Sequence, residues 1–239
     1  MKHSTAIYND SLDIKSSDFC LDGNERHKKI VIFDMDSTLI DAESIDELAK
    51  VNGVGNSVSE ITEQAMKGEL DYADALNFRV KLLKGLNIKK AKEAMDKMPI
   101  MTGAHELIEF IKSKGFMTAI ISGGFTISAN RIGLLFNIDE VITNELIVDN
   151  GHLTGMVVGP LLNENSKEFA FEKIIRKYGI HIDKCIVIGD GANDIGMFKK
   201  TKYAIAFNSK PILQKYANAI VEKKDLREVI PIIESFNLV

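Results

Sequence analysis

Three strand-like apolar runs in this sequence each end in a cluster of polar residues. The runs and the clusters that follow them are Ile30–Phe33 with residues 34–38, 116–121 with residues 122–124, and 185–188 with residues 189–194. Runs rich in β-branched and aromatic residues that stop at acidic, hydroxyl and glycine residues are typical of buried strands. In an open parallel α/β sheet the functional groups lie at the carboxyl ends of the strands. We therefore expect the three clusters to form one site.

The pattern between these strands predicts how the chain is organised. Residues 1–28 are polar and weakly patterned, which indicates an N-terminal extension. Residues 43–99 show only helical periodicity, with glycines that divide them into short helices. Strand–helix alternation on both sides of this block predicts a Rossmann-like open parallel α/β sheet, with residues 29–42 and 100–239 as its core domain. The helical block would then be an inserted cap domain.

The second half of the chain carries several more predicted elements. We expect helices over about 104–114, 125–136 and 166–178, and a short β excursion over 141–158 that turns at 149–151. Further strands are expected at 203–207 and 219–221. The last helix should begin near Asp225, with Pro231 as a possible kink.

Composition excludes some classes of function. The net charge is −4 and no basic stripe is interleaved with aromatic residues, so nucleic-acid binding is not expected. No apolar segment approaches the length of a membrane span, and no apolar signal-peptide region follows the amino terminus. Cys20 and Cys185 are two unrelated thiols, which favours a reducing, cytoplasmic location over a disulfide framework. The five histidines lack paired ligand spacing, so zinc is not expected.

The polar clusters combine acidic, hydroxyl and glycine residues. Asp34, Asp36, Asp190 and Asp194 would make an oxygen-rich pocket suited to Mg²⁺. Ser122 and the two glycines after it offer a hydroxyl and backbone N–H groups as a cradle for an anion.

Lys167 stands at the start of a predicted helix, where a cation gains nothing from the helix dipole. A bound phosphate would explain it. The alternative is a solvated helix residue, but the position of Lys167 between the serine strand and the second acidic strand favours the phosphate.

Together these motifs resemble those of the haloacid dehalogenase superfamily of phosphohydrolases. The matching residues are Asp34, Asp36, Thr38, Ser122, Lys167, Asp190, Asn193 and Asp194. The stretch from about Ile30 to Val239 is most similar to the phosphoserine phosphatases of that superfamily. The resemblance implies Mg²⁺-dependent hydrolysis of O-phospho-L-serine to serine and phosphate, the last step of serine biosynthesis, through an aspartyl phosphate.

The resemblance also implies a role for each matching residue. Asp34 would be the nucleophile and Asp36 the general acid and base. Asp34, the backbone carbonyl of Asp36 and the side chain of Asp190 would bind the metal, with Asp194 and Asn193 ordering the groups around the metal and the phosphate. Ser122, Gly123 and Lys167 would hold the phosphoryl oxygens.

Four cap residues match substrate-binding positions of the resembled enzymes. Glu43 would bind the ammonium group and Arg79 the carboxylate group of phosphoserine. Met66 and Tyr72 would form an apolar wall, although these enzymes more often have Phe at the position of Tyr72. The alternatives are a dipole-favoured acid for Glu43, a surface arginine for Arg79, and cap core for Met66.

Two other functions remain open at this point. One is a phosphatase or phosphotransferase that acts on another small phosphate, such as phosphohomoserine or phosphothreonine. The other is a receiver-type signalling module, against which the cap insertion, the chain length and Asp36 argue. The sequence is compatible with a monomer or a homodimer.

Overall fold

The computed structural model describes residues 28–238 of the 239-residue chain. Their seven strands are β1 (Ile30–Phe33), β2 (Met117–Phe125), β3 (Glu140–Asp149), β4 (His152–Val158), β5 (Cys185–Gly189), β6 (Tyr203–Phe207) and β7 (Ala219–Val221). They form one sheet in the order β4-β3-β2-β1-β5-β6-β7. All neighbours are parallel except β3 and β4. The predicted open parallel sheet is confirmed. The predicted extension over 1–28, including Cys20, lies outside the described residues apart from Lys28.

The described part of the chain contains ten α-helices. They are α1 (Ser44–Val51), α2 (Gly55–Met66), α3 (Tyr72–Leu82), α4 (Ile88–Asp96), α5 (Ala104–Ser113), α6 (Thr126–Phe136), α7 (Ser166–Tyr178), α8 (Ile195–Lys200), α9 (Pro211–Gln214) and α10 (Ile230–Ser235). Short 3₁₀ turns cover Ile182–Lys184, Ala192–Asp194 and Leu226–Val229. None of the helices in residues 28–238 is both long and apolar enough to cross a membrane.

The central strand β1 is buried on both faces of the sheet. Val31 and Phe33 belong to one hydrophobic cluster, which includes apolar residues of α5 and α6. Ile30 and Ile32 belong to a second cluster, which includes apolar residues of α7. Successive side chains of a strand point to opposite faces, so a strand that is covered by helices on both sides is apolar throughout. This arrangement places the end of β1 in the middle of the sheet edge.

Helices α1 to α4 follow β1 directly and occupy the region that the sequence predicted to be helical. The β3–β4 hairpin reaches this helical region through backbone hydrogen bonds. The Gly85 N–H donates to the Leu153 carbonyl at 2.8 Å, and the Leu153 N–H donates to the Leu86 carbonyl at 2.9 Å. The predicted β excursion therefore forms a contact with the connection between α3 and α4.

Some predicted elements differ from the structure. The second strand was expected to stop before Ser122, but β2 continues to Phe125. The last segment is not one kinked helix from Asp225, because a 3₁₀ turn precedes α10. Pro231 lies in the first turn of α10, where its missing N–H costs no intrahelical hydrogen bond. Helices α8 and α9 were not predicted. They have only six and four residues, too few to show a clear helical period.

Candidate active site

The three polar clusters meet at the carboxyl edge of the sheet. Strand β1 lies between β2 and β5, with Phe33 paired to both Ile120 and Ile188. The Asp34 N–H donates to the Ile188 carbonyl at 2.9 Å, which continues the pairing one residue beyond the strand. Neighbouring parallel strands therefore bring the residues that follow them to one place, as the sequence predicted.

A buried ion-pair cluster joins Asp34, Lys167 and Asp194. Lys167 Nζ lies 2.5 Å from Asp34 Oδ2 and 2.7 Å from Asp194 Oδ1. All three residues are at most 4% exposed. Burial alone would lower the pKa of Lys167, but the charges and hydrogen bonds of Asp194 and Asp34 raise it above its ordinary value. Lys167 is thus a fixed cation in the site, and its interpretation as a solvated helix residue is wrong.

Three carboxylates of the site form a candidate metal centre. Asp34, Asp190 and Asp194 each offer an oxygen, and these oxygens lie within 4.8 Å of one another. Burial and the charges of the neighbouring acids raise the pKa of Asp190 to about 8. Such a set of mutually repelling, hard oxygen donors fits a divalent cation, which would relieve the repulsion.

The backbone around Asp194 fixes the geometry of the candidate metal centre. Asp194 Oδ2 accepts hydrogen bonds from the N–H groups of Asp190 and Gly191, each at 3.2 Å. Burial, followed by the charge of Asp34, raises the pKa of Asp194 to about 6, even though Lys167 counteracts this rise. The family resemblance assigned Asp194 to ordering the groups around the metal. The structure places it among the three carboxylates, while the side chain of Asp36 lies outside that group.

Asp36 has different surroundings from Asp34. Its Oδ1 accepts a hydrogen bond of 2.5 Å from the Ser44 hydroxyl, which lies 3.2 Å from the Ser128 hydroxyl. Ser128 in turn donates to the Phe125 carbonyl at 2.8 Å. Burial, then the charges of Glu43 and Asp34, raise the pKa of Asp36 well above its ordinary value, although the hydrogen bond from Ser44 opposes the rise.

Sequence reasoning missed Ser44 and Ser128. A serine at the start of a helix is an ordinary capping residue, so the position of Ser44 pointed to no further role. Ser128 lies in α6, and its only sequence signal was a polar residue on an otherwise apolar helix face. Both hydroxyls are fully buried.

The candidate anion cradle, Ser122–Gly124, is a bulge within β2. Ile121 pairs with Ile142 and Phe125 with Asn144, so the three residues 122–124 of β2 lie opposite the single residue Thr143 of β3. Such a bulge removes backbone groups from the ladder and frees them for other partners. The Ser122 hydroxyl accepts from the Gly124 N–H at 3.1 Å. This bulge is why β2 continues past the point where the sequence predicted its end.

The two glycines of the bulge allow other groups to approach closely. A Cβ on Gly123 would overlap with the hydroxyl of Tyr72, from the start of α3. A Cβ on Gly124 would lie 3.1 Å from Asp36 Oδ2. Tyr72 is half-buried, and burial raises the pKa of its hydroxyl. A residue of the helical region therefore lies directly over the candidate cradle.

Glu43 lies beside the loop that follows β1. Its Oε1 accepts a hydrogen bond of 2.7 Å from the hydroxyl of Ser37, which has a left-handed φ of 57°. The residue keeps substantial exposure to solvent, but its carboxyl group faces the site. Partial desolvation and the charge of Asp34 raise its pKa.

Arg79 is half-buried on α3 and forms no ion pair within residues 28–238. Its Nε donates to the Ala75 carbonyl at 3.1 Å, and one of its terminal nitrogens lies 3.5 Å from the Thr62 hydroxyl. The guanidinium is therefore available to bind an anion.

The structure places Asn193 and Met66 differently with respect to the site. Asn193 is half-buried in the 3₁₀ turn beside Asp194, and a Cβ on Gly191 would lie 2.5 Å from its Oδ1. Met66 is the last residue of α2 and is 69% exposed, so the interpretation of Met66 as cap core is wrong. Its predicted contact with substrate stays a prediction.

Comparisons with known proteins agree with this geometry. Residues 31–199 match the model of the haloacid dehalogenase-like hydrolase family. A phosphoserine phosphatase of Methanocaldococcus jannaschii is 44% identical over 210 residues, which is 88% of this chain and all of that protein. A phosphoserine phosphatase of Idiomarina loihiensis is 40% identical, covering 88% of this chain and 96% of its own.

Solved structures give the same result. A phospho-aspartyl intermediate analogue of a phosphoserine phosphatase superposes with a TM-score of 0.83 at 44% identity, covering 87% of this chain and 99% of the other. A substrate-bound phosphoserine phosphatase superposes with a TM-score of 0.82, also at 44% identity, covering 86% and 98%. The resemblance that the motifs indicated is thus confirmed, and the chain belongs to the haloacid dehalogenase-like hydrolase family.

Proposed function

We propose that the chain is a Mg²⁺-dependent phosphoserine phosphatase that hydrolyses O-phospho-L-serine to serine and phosphate. The observation that carries this proposal is the position of the Asp34 carboxylate. It is buried at the tip of β1, held by Lys167, and grouped with Asp190 and Asp194. The similarity to named phosphoserine phosphatases over nearly the whole described chain supports the choice of substrate.

The first half of the proposed reaction transfers the phosphoryl group to Asp34. A carboxylate oxygen of Asp34 attacks phosphorus, and the bond between phosphorus and the serine oxygen breaks. Asp36, whose raised pKa favours the protonated form of its carboxyl group, gives its proton to the leaving oxygen. The products of this half are free serine and an aspartyl phosphate.

The second half regenerates the enzyme. Asp36, now ionised, takes a proton from a water molecule as the water oxygen attacks phosphorus. The bond between phosphorus and Asp34 breaks, inorganic phosphate leaves, and both aspartates return to their starting states.

Groups of both the sheet and α7 would stabilise the negative charge on the phosphoryl oxygens. The Ser122 hydroxyl, the backbone N–H of Gly123 and the Lys167 ammonium would contact these oxygens, with Asn193 beside them. A bound Mg²⁺, held by Asp34, Asp190 and the Asp36 carbonyl with Asp194 adjacent, would neutralise charge on the phosphoryl group. The donor set of three close carboxylates supports this cation.

We assign selection of the substrate to the helical region over residues 43–99, which we propose to be a cap on the core formed by 29–42 and 100–239. Glu43 would bind the ammonium group, and Arg79, which lacks an acidic partner in residues 28–238, would bind the carboxylate group. Tyr72, together with Met66, would line the space between these groups and the cradle. A pocket that pairs both charges rejects substrates that lack either, by about 10⁴-fold.

One structural observation bears on the cytoplasmic location proposed from the sequence. Cys185 is a free thiol buried in β5, and burial raises its pKa to about 12. An unreactive buried thiol is consistent with the predicted cytoplasmic location. The choice between monomer and homodimer stays a prediction.

Two measurements test the proposed function. The first is phosphate release from phosphoserine, phosphothreonine, phosphohomoserine and a sugar phosphate, each with and without Mg²⁺. Phosphoserine should give the highest kcat/KM, whereas a higher value for another ester would reassign the substrate.

The second measurement is a structure of the Mg²⁺ complex with a fluoroberyllate mimic, in which beryllium should bond to Asp34. An adduct on another residue would overturn the mechanism. A receiver-type module would show no sustained phosphate release.

A further inference from the structure

Asn144 is a fully buried polar residue of β3 to which the reaction above assigns no role. Its side chain makes three hydrogen bonds, all of them to backbone groups. Nδ2 donates to the Gly123 carbonyl at 3.2 Å and to the Leu161 carbonyl at 3.0 Å, while Oδ1 accepts from the Leu161 N–H at 2.9 Å. The amide therefore uses two donors and an acceptor on two separate segments of the chain.

One of these segments is the candidate anion cradle. Because the bulge at Ser122–Gly124 removes β2 from its register with β3, the ladder no longer holds the Gly123 carbonyl. The Asn144 side chain supplies that missing partner from the neighbouring strand. The peptide group that joins Gly123 to Gly124 is thus held by a side chain rather than by regular pairing, and the Gly123 N–H belongs to the peptide group just before it.

The other segment leads to Lys167. Leu161 lies between the end of β4 at Val158 and the start of α7 at Ser166. Both backbone groups of Leu161 are bound to Asn144, and Leu161 itself is 1% exposed. A Cβ on Gly159, whose φ is +147°, would lie 2.5 Å from Asn144 Oδ1. This segment therefore packs tightly against Asn144 before the chain enters α7.

We propose that Asn144 is a positioning residue that sets the distance between the Gly123 cradle and Lys167, the two groups that hold the phosphoryl oxygens. The inference rests on the proposed function. Only a side-chain amide can donate to two carbonyls and accept from an N–H at once, so neither a carboxylate nor a hydroxyl replaces it. A shift of about 1 Å between groups that bind a transition state can cost about 10²-fold in rate.

The test compares Asn144→Ala with the control variant Asn218→Ala, a change at an exposed asparagine. Asn218 Oδ1 also accepts from a backbone N–H, that of Ala204 at 2.8 Å, but it lies beside β6 and β7, away from the cradle. For each variant, kcat, KM, the inhibition constant of inorganic phosphate with Mg²⁺ present, and Tm are measured. Asn144→Ala should weaken phosphate inhibition and lower kcat, each by about 10- to 100-fold. Asn218→Ala should change Tm alone.

Asn144→Asp is the second variant, in case the alanine variant does not fold. This variant keeps the size of the side chain and the oxygen that accepts from the Leu161 N–H. Its second carboxylate oxygen replaces Nδ2 and cannot donate to the carbonyls of Gly123 and Leu161. It should also weaken phosphate inhibition. If folded Asn144→Ala or Asn144→Asp binds phosphate with unchanged affinity and keeps its kcat, Asn144 is purely structural and the inference is wrong.

Failure of this inference differs from failure of the proposed function. Hydrolysis of any phosphate ester releases inorganic phosphate. The inhibition constant of phosphate can therefore be measured with whichever ester the wild-type protein hydrolyses. A wild type that prefers another ester would overturn the substrate assignment and leave the role of Asn144 standing. If the wild type prefers phosphoserine and Asn144→Ala has the same kinetics as the wild type, the substrate assignment stands and the role of Asn144 is wrong.

Discussion

Lys167 Nζ lies 2.5 Å from the Oδ2 atom of Asp34, and both side chains are almost completely buried. The two residues are 133 positions apart in the sequence, so their contact joins α7 to the tip of β1. Two charges removed from water in this way are stable only as a pair. The lysine therefore has two proposed purposes: it pairs with the Asp34 side chain and fixes its position, and it places a cation beside the proposed nucleophile.

Removal of this cation should impair both catalysis and folding. We expect Lys167→Ala to lower kcat by about 10²–10³-fold, the usual effect of losing a group that stabilises transition-state charge. The same change leaves buried acids without a partner and should reduce the free energy of unfolding by about 3–5 kcal/mol. Urea unfolding and steady-state kinetics measure the two effects.

Lys177→Ala is the control for that experiment. Lys177 Nζ forms an ion pair of 2.6 Å with Glu140, but the lysine is 52% exposed. An exposed pair contributes at most about 1 kcal/mol, and this one is remote from β1. A Lys167→Ala variant as active and as stable as Lys177→Ala would contradict the role given to Lys167.

Ser44 should tune the proton on Asp36. Its hydrogen bond favours the charged form of the carboxyl group and so opposes the rise in pKa that burial causes. Without the hydroxyl, the pKa of Asp36 should rise further. In Ser44→Ala, the limb of the kcat/KM profile that reports loss of the general-acid proton should therefore move to higher pH.

The control for the pH profile is Ser113→Ala. The Ser113 hydroxyl donates to the Phe110 carbonyl at 2.7 Å on the surface, far from Asp36 in the fold, and its removal should leave the profile in place. A Ser44→Ala profile that coincides with wild type, or moves to lower pH, would show that Ser44 does not act on Asp36.

Arg79 should matter only for substrates that carry a carboxylate group. We expect Arg79→Ala to raise the activation free energy for phosphoserine by about 2–5 kcal/mol, the cost of truncating one partner of a desolvated charge pair. Turnover of a phosphate ester without a carboxylate should change little. Steady-state kinetics on the two substrate types measures the difference.

The matched control is Lys81→Ala, because Lys81 is an exposed cation on the same helix. Unaltered phosphoserine turnover in Arg79→Ala would remove Arg79 from the pocket.

Metal binding should depend on pH with a definite sign. A divalent cation binds ionised carboxylates, and without it the pKa of Asp190 is raised to about 8. Protons therefore compete with the metal below about that pH, and Mg²⁺ affinity should increase from pH 6 to pH 8. Calorimetric titration with Mg²⁺ at several pH values measures this. Chelation should abolish phosphate release, and added Mg²⁺ should restore it.

Asp190→Asn is the variant that tests the assignment of the metal site. It removes one of the three carboxylates and should weaken Mg²⁺ binding while reducing its pH dependence. Equal Mg²⁺ affinity at pH 6 and pH 8 in the wild type would count against the carboxylate cluster as the site.

Much of the architecture could be predicted because it is encoded locally. The bounds of α7, β6 and β7 agree with the expected 166–178, 203–207 and 219–221. Helix α7 has helical periodicity and ends before Gly179, while β6 and β7 are short apolar runs between polar residues. The bulge in β2 could not be predicted, because it arises from the pairing of β2 with a strand that lies about 20 residues further along the chain. The exposure of Met66 could not be predicted either: cap core was the alternative given for this residue, but it is the last residue of α2 and lies in solvent.

The active site likewise has features that follow from the sequence and features that only the tertiary structure sets. That Asp34, Ser122 and Asp190 would meet follows from sequence, because each comes at the end of a parallel strand and such ends share one edge. The hydrogen bonds of Ser44, Ser128 and Asn144 depend instead on which helices and loops pack over that edge. Ser44 and Ser128 are 84 positions apart, and Asn144 is 21 positions from Gly123 and 17 from Leu161, separations that no local pattern records. The raised pKa values of Asp36 and Asp190 likewise come from burial and neighbouring charges, which exist only once the chain has folded.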